Sequence, residues 1–204
     1  MTRVAGASAK DVAHRVGSHS GVGGSGAVDL LRHGDTGQRS YRGQLDDPLT
    51  ELGWVQLRAA VEGLSWDRVV SSPLARCARF ADELAAVRGL PLRIDARLAE
   101  YHFGDWQGVP IETLAEEQGD ALGRFWADPV ANPPPGAETF DAFHARLTAA
   151  MGDIVDEAGN ARVLVITHGG AIRFLRCAAE GRPFADMAGI DVPHASLHRM
   201  AWAS

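Results

Sequence analysis

Lysine is nearly missing from this sequence. Among the 20 basic residues of the 204-residue chain, Lys10 is the single lysine, and it lies close to the N-terminus. Schiff-base chemistry, the phosphate loop of NTPases and the ATP-binding strand of kinases each need an ammonium group in the folded part of the chain. The sequence therefore argues against these three classes of enzyme.

Cysteine, long apolar runs and excess positive charge are also scarce. Cys77 and Cys177 form neither a CxxC pair nor a zinc-binding spacing, which predicts a reduced, cytoplasmic protein without a metal site. No apolar run approaches transmembrane length, and the first residues lack the apolar core of a secretory signal. The net charge of −6 gives no general attraction to nucleic acid or anionic membrane, so we expect neither partner.

Composition divides the chain into a leader and one folded domain. Residues 1–26 are rich in Gly, Ser and Ala and predict a flexible leader, whereas residues 27–204 have the length and patterning of a domain. Strands are predicted over residues 27–31, 68–71, 92–94 and 162–167. Helices are predicted to begin at Thr50 and at Ser72-Pro73, to cover residues 140–154 and 171–180, and to occur as two short segments within 110–128. This alternation predicts an α/β sandwich in which the apolar strand 162–167 is central.

Two of the predicted helices have recognisable signals. Thr50 can cap the first, and Leu52, Val55 and Ala59 are expected to form its buried stripe. Ser72 and Pro73 are typical of a cap followed by the first turn of the second. Gly63, Gly89 and Gly181 are expected to end helices.

Three predicted strand ends carry cationic or imidazole groups. Arg32-His33-Gly34 follows the first strand, Arg76 comes one turn after Ser72-Pro73, and His168-Gly169-Gly170 follows the central strand. Ligands bind outside the carboxyl ends of strands in open α/β sheets, and glycine lets them approach the backbone. One guanidinium group can bind two phosphate oxygens at once through two parallel N–H donors. The three segments together therefore predict a phosphate site.

A fourth segment, residues 100–106, supplies a carboxylate among aromatic residues. Glu100 is the candidate general acid, with Glu51 and Asp105 as weaker ones. Trp106 and Trp126 are expected to line a cap over the substrate.

The motifs RHGDT, RGQLDDPLTELG, SSPLARCARFADEL, DARLAEYHFGDWQG and THGG occur in this order between about Val28 and Ser196. They resemble the histidine phosphatase (phosphoglycerate mutase-like) superfamily, and their spacing is most similar to that of α-ribazole-5′-phosphate phosphatases. The resemblance implies a three-layer α/β/α sandwich with a mostly parallel sheet and a small helical cap at about residues 101–138.

The same resemblance implies a mechanism without metal or cofactor. His33 would attack phosphorus, Arg32, Arg76 and His168 would hold the transferring oxygens, and Glu100 would exchange a proton with the leaving group and then with water. Contacts with the substrate are expected from Thr36, Arg42, Gln44 and Gly169.

The implied partner is a small phosphomonoester, taken by a monomer or a homodimer. α-Ribazole 5′-phosphate, from cobalamin nucleotide-loop assembly, is the leading substrate. A broad-specificity or sugar-phosphate phosphatase, and a phospholigand-binding regulator without turnover, are the alternatives. Mutase chemistry is disfavoured because the segment between Glu100 and His168 is short and holds no lysine. No role is implied for His102, and His194 is a further candidate for the pocket.

Overall fold

A five-stranded sheet forms the centre of the computed structural model, which describes residues 27–200. The strands are β1 (Val28–Arg32), β2 (Arg68–Ser71), β3 (Leu92–Ile94), β4 (Val163–Thr167) and β5 (Leu197–Met200). Their order across the sheet is β3-β2-β4-β1-β5, and β5 alone runs antiparallel to its neighbour. The mostly parallel sheet is therefore confirmed, while the predicted leader lies outside the described residues.

Helices cover both faces of this sheet. They are α1 (Glu51–Ala60), α2 (Ala75–Arg88), α3 (Ile111–Ala127), α4 (Phe140–Ala158) and α5 (Gly169–Glu180). Apolar residues of α1 and α2 pack with Leu31, Leu164 and Ile166 on one face, whereas those of α4 and α5 pack with Leu30 and Val165 on the other. The three-layer sandwich is confirmed. None of the helices within residues 27–200 combines the length and apolar character needed to cross a membrane.

The central position predicted for the apolar strand is confirmed. Every residue of β4 is fully buried, and β4 pairs in parallel with β1 on one side and with β2 on the other. A strand that is covered on both faces needs apolar side chains at consecutive positions, which explains its sequence. The carboxyl ends of β1, β2 and β4 consequently lie at one edge of the sheet.

Helix α1 begins as predicted but buries another face. The Thr50 side chain accepts a hydrogen bond from the Gly53 N–H, which caps the helix. The expected stripe is wrong, because Leu52 and Val55 are 57% and 61% exposed. The inward face carries Gly53 and Leu57 instead. Gly53 lies against the backbone of the loop after β1, and this backbone contact orients the helix in place of a side-chain stripe.

Helix α2 begins later than the sequence signal indicates. Its first residue is Ala75, so Ser72 and Pro73 belong to the turn before it, and Leu74 supplies no side-chain cap. The Asp46 carboxylate accepts a hydrogen bond from the Ala75 N–H at 2.6 Å and takes the place of a local cap. The predicted end is confirmed, because Gly89 adopts a left-handed conformation with φ of 64°.

Helix α3 lies between β3 and α4, where the cap insertion was expected. Gln118 departs from helical geometry with φ of −135°, which divides α3 into two segments and confirms the prediction of two short helices. Helix α4 buries the predicted face, including Phe143, Leu147 and Met151.

The contact between Gly53 and the loop after β1 gives a prediction on stability. A Cβ at Gly53 would collide with the Asp35 carbonyl, whereas one at Gly152, inside α4, would meet no atom within 4 Å. Gly53→Ala should lower the free energy of unfolding, because overpacking costs about 1–3 kcal/mol, whereas Gly152→Ala should raise it by up to about 1 kcal/mol through helix propensity. Urea unfolding of both variants measures this. Equal stabilisation by both would contradict the contact.

Candidate active site

Two backbone hydrogen bonds extend the parallel ladder past the ends of β1 and β2. The His33 N–H donates to the Thr167 carbonyl at 3.0 Å, and the Ser72 N–H donates to the Ile166 carbonyl at 3.0 Å. The loop after each strand is thereby held beside the end of β4. This arrangement brings Arg32, His33 and Arg76 together at one cavity.

His33 is 7% exposed and borders the cavity. Its Nδ1 lies 2.8 Å from the Gly34 carbonyl oxygen. A carbonyl only accepts hydrogen bonds, so Nδ1 carries the proton and the lone pair of neutral His33 is on Nε2. Burial, followed by the charge of Arg76, lowers the pKa of His33 well below its usual value. The imidazole is thus neutral and has a free nucleophilic nitrogen at neutral pH.

Arg76 is almost wholly buried, and its guanidinium is held by neutral acceptors. Its Nε donates to His168 Nδ1 at 3.3 Å, and its two terminal nitrogens donate to the carbonyls of Leu45 and Gly43 at 2.7 and 2.6 Å. Because guanidinium has five N–H groups, two donors remain for a ligand.

Arg32 leaves more of its donors free. One terminal nitrogen donates to the Val192 carbonyl, and its buried Nε has no partner among the described residues. Burial lowers the pKa of Arg32, and the nearby Glu100 opposes that shift. No carboxylate forms an ion pair with Arg32 or Arg76 in the described part of the chain, so their charge is available to an anion.

His168 lies behind His33 and outside the cavity lining. The two ring centroids are 5.3 Å apart, and His168 is fully buried. Its Nδ1 accepts from Arg76, so Nε2 carries the proton and donates to the Ser72 hydroxyl at 2.7 Å. Burial lowers the pKa of His168 well below its usual value, with Arg76 as the next cause. In this arrangement both ring nitrogens contact protein groups.

The Cys77 thiol contacts the same imidazole. Its Sγ lies 3.7 Å from His168 Nε2, and it donates a weak hydrogen bond to the Thr167 carbonyl. Burial raises the pKa of Cys77 to about 12, so the thiol remains protonated.

Glu100 lies at the N-terminus of α5. Its Oε2 accepts from the Gly170 N–H at 2.9 Å, and its Oε1 accepts from the N–H groups of Tyr101 and Ala171. A Cβ at Gly170 would lie 2.5 Å from Glu100 Oε1, so a larger residue there would displace the carboxylate. Glu100 borders the cavity and has room on Oε2 for a further contact.

Arg146 positions the Glu100 backbone, a role that the sequence analysis missed. Its guanidinium donates to the carbonyls of Arg97, Ala99 and Glu100, at 2.7, 2.6 and 2.9 Å. It also forms a two-bond ion pair with Glu138. The one sequence signal for this role is the position of Arg146 beside the apolar stripe of α4. An arginine at such a position is equally typical of a solvated helix face.

The other predicted contact residues occupy different places. Thr36, Arg42 and Gly169 border the cavity. Arg42 is tied to Asp47 by two hydrogen bonds of 2.6 and 2.8 Å. Gln44 lies outside the lining, and its side-chain amide donates to the Glu100 carbonyl at 3.1 Å, so it supports the loop that carries Glu100.

The cavity has a volume of about 380 Å³, and two kinds of side chain dominate its lining. Arginine and histidine side chains form one group. The other group is aromatic, and four of its members pack on one another: Tyr41, Phe103, Phe125 and Trp126. The Trp126 indole N–H donates to the Tyr41 hydroxyl at 2.6 Å, which holds the indole at the wall.

Trp106 does not take the position expected for it. It is 1% exposed and lies in the core beneath Tyr41 and Phe125, where its indole N–H donates to Gln118. The prediction that Trp106 lines the cap is therefore wrong, whereas Trp126 does border the cavity. His102 also has a structural contact, because its Nδ1 accepts from the Gly104 N–H.

This arrangement suits a tetrahedral oxyanion. Two guanidinium groups with free donors face a neutral imidazole, and a carboxylate stands at the same cavity. Within residues 27–200, no cluster of three imidazole, thiol or carboxylate groups could hold a metal ion.

Comparison with known proteins agrees with this chemistry. Residues 28–204 match the family model of the histidine phosphatase superfamily (branch 1). Glucosyl-3-phosphoglycerate phosphatase of Mycobacterium tuberculosis is 37% identical over 174 residues, covering 77% of this chain and 76% of that protein. A bifunctional protein of M. tuberculosis is 36% identical over 153 residues, but the chain spans only 42% of its length.

Solved structures show the same fold. The mycobacterial glucosyl-3-phosphoglycerate phosphatase superposes with a TM-score of 0.77 at 31% identity, covering 85% of this chain and 88% of that one. The α-ribazole phosphatase of Shigella flexneri superposes with a TM-score of 0.72 at 26% identity, covering 85% and 89%.

The buried position of His33 gives a prediction on its protonation. A lowered pKa means that the neutral imidazole persists as the pH falls, so His33 should remain largely neutral at pH 6.5, where an ordinary histidine is about half protonated. ¹⁵N NMR of the ring nitrogens, assigned by loss of the signal in His33→Gln, measures the midpoint. A midpoint at or above pH 6.5 would contradict the electrostatic description of the site.

Proposed function

The chain belongs to the histidine phosphatase superfamily, and within it we propose that this protein hydrolyses phosphomonoesters through a phosphohistidine on His33. Its membership and its phosphatase relatives identify it as a phosphatase acting on a small phosphate ester. The observation that carries the proposed mechanism is the neutral imidazole of His33, with its lone pair on Nε2, at a cavity that Arg32 and Arg76 also line.

In the first proposed step, the Nε2 lone pair of His33 attacks phosphorus. The bond between phosphorus and the ester oxygen breaks, and the leaving oxygen takes a proton from protonated Glu100. The ring becomes positively charged, and its Nδ1–H remains bonded to the Gly34 carbonyl, which stabilises that charge. Free donors of Arg32 and Arg76 bind the phosphoryl oxygens throughout.

In the second proposed step, water attacks phosphorus and gives a proton to the Glu100 carboxylate. The P–N bond breaks, its electron pair returns to Nε2, and inorganic phosphate leaves. His168 supports both steps by holding the Nε of Arg76. Arg146 and Gln44 support them through the Glu100 carbonyl.

For the substrate, we propose α-ribazole 5′-phosphate or a related phosphate with an aromatic leaving group. The aromatic side chains of the lining suit a flat apolar group, which stacks on residues such as Trp126. A second candidate is a sugar phosphate of the glucosyl-phosphoglycerate type, favoured by the mycobacterial relatives. That substrate carries an extra carboxylate. Arg42 is already paired with Asp47, whereas Arg173, which also borders the cavity, forms no ion pair within residues 27–200 and could bind it.

The site gives less support to the alternative of a regulator that binds a phosphate ligand without turnover. A protein that only binds a phosphate ligand needs positively charged side chains, but it needs neither a nucleophile nor a proton donor. Here His33 and Glu100 border the same cavity as the arginine side chains, which favours turnover. A reducing, cytoplasmic location remains part of the proposal, in keeping with two free cysteines.

The covalent mechanism predicts a burst of product. With p-nitrophenyl phosphate the leaving group needs little protonation, so Glu100→Gln should phosphorylate His33 readily but release phosphate slowly, by about 10²–10⁴-fold. Stopped-flow absorbance should then show close to one equivalent of p-nitrophenolate per active site. Acid-labile label from a ³²P substrate should be absent in His33→Ala. Labelling of His33→Ala would overturn the assignment.

The aromatic wall predicts a selective loss of affinity. Trp126→Ala should raise KM for α-ribazole 5′-phosphate about 10-fold, because stacking of a base on an aromatic side chain contributes about 1–3 kcal/mol. KM for glycerol phosphate, which has no ring to stack, should change little. Trp54→Ala is the matched control, because Trp54 packs on Phe80 away from the cavity. A higher kcat/KM of the wild-type protein for glucosyl-3-phosphoglycerate than for α-ribazole 5′-phosphate would favour the second candidate.

A further inference from the structure

His194 lies beside His33, and no role has been assigned to it. Their ring centroids are 5.6 Å apart with an interplanar angle of 42°. The His194 side chain is 31% exposed and borders the cavity. His33 is therefore flanked by two imidazoles, the buried His168 and the partly exposed His194.

The backbone after His194 is strained. Ala195 has a φ of 56°, and no other non-glycine residue within 27–200 has a positive φ. Its N–H donates to the His33 carbonyl at 3.1 Å, and the Ser196 carbonyl accepts from the Arg32 N–H at 3.1 Å. The strained turn is thus tied directly to Arg32 and His33. Strain of this kind persists where the surroundings enforce it, and it clusters at functional sites.

The nitrogens of His194 are in a different situation from those of His168. Both His168 nitrogens contact Arg76 or Ser72, whereas neither nitrogen of His194 forms a hydrogen bond with any residue in the described part of the chain. Its Nδ1 faces the Asp35 carboxylate at 3.9 Å, beyond hydrogen-bond distance. Asp35 is itself held by Thr50 and the Gly37 N–H.

We propose that His194 is a substrate-contacting residue that donates a hydrogen bond from Nε2 to a non-bridging oxygen of the phosphoryl group bound at His33. Burial, followed by the charge of Arg32, lowers the pKa of His194 in the free protein, and Asp35 opposes that shift. A bound phosphoryl dianion adds to the effect of Asp35 and favours the imidazolium form, which donates from both ring nitrogens. The proton comes from solvent through the exposed side of the ring. His194 thereby adds a donor beside His33.

This inference rests on the proposed phosphohistidine mechanism, and binding of oxyanions tests it separately. Inorganic phosphate and orthovanadate, which adopts the five-coordinate geometry of the transferring group, serve as probes. His194→Ala should weaken vanadate binding about 10- to 100-fold, the loss typical of a hydrogen bond to a charged group. Phosphate should be affected less. His194→Gln, which keeps an N–H donor, should recover part of the affinity.

Two controls separate this role from a structural one. His144→Gln changes an exposed imidazole on α4 and should leave vanadate binding unchanged. Ala195→Gly removes the strain while keeping His194, and should retain most of the affinity if the imidazole itself makes the contact. His33 should still become labelled in His194→Gln.

The outcomes distinguish the two proposals. Wild-type affinity for vanadate in both His194 variants, with His33 still labelled, would overturn the role of His194 and leave the mechanism intact. Equal losses for His194→Gln and His194→Ala would likewise reject a donated hydrogen bond. Absence of label on His33 in the wild-type protein would instead overturn the proposed mechanism.

Discussion

The parallel pairing of β1 and β2 on either side of β4 determines where the charged groups of the cavity lie. Each outer strand continues its hydrogen bonds to β4 by one residue, through His33 and Ser72. A one-residue slip would turn successive side chains to the opposite face of the sheet. Asp29 of β1 opposes such a slip, because its carboxylate accepts hydrogen bonds from Trp66 and Arg199 that a shift to the other face would break. Contacts within the sheet therefore also fix the site.

The charged side chains at the cavity are hydrogen-bonded to backbone groups and are not paired with ions of opposite charge. Backbone carbonyls bind the guanidinium groups of Arg32 and Arg76, and backbone N–H groups bind Glu100. Neutral partners satisfy the donors but leave the positive charge uncompensated. The same charge, together with burial, keeps His33 and His168 unprotonated. One arrangement therefore attracts the anion and preserves the nucleophile.

Much of the fold and the site could be predicted, since the informative residues lie at strand ends. The central strand and the convergence of Arg32, His33 and Arg76 followed from local sequence and motif order. Features that depend on distant contacts could not be predicted. The inward face of α1 is set by Gly53 against another backbone, and Trp106 and Trp126 differ only in the tertiary contacts that enclose one of them. The division at residue 26 and the roles of the site residues stay predictions.

Arg146 and His194 illustrate the same limit at the site. Arg146 reaches the carbonyl of Glu100, 46 positions earlier in the chain, and no pattern within α4 indicates that contact. His194 gains its position from a strained turn, and strain is a property of the folded backbone alone.

The break at Gln118 has a consequence for the shape of the cavity. It separates the first half of α3 from the half that carries Phe125 and Trp126 to the cavity wall. Residues around the break, such as Glu117 and Asp120, are exposed. A change in the angle between the two halves would move Phe125 and Trp126 and alter the shape of the cavity, whereas Arg32 and His33 follow β1 and would keep their positions. The backbone that shapes the aromatic wall is thus separate from the strand ends that carry Arg32 and His33.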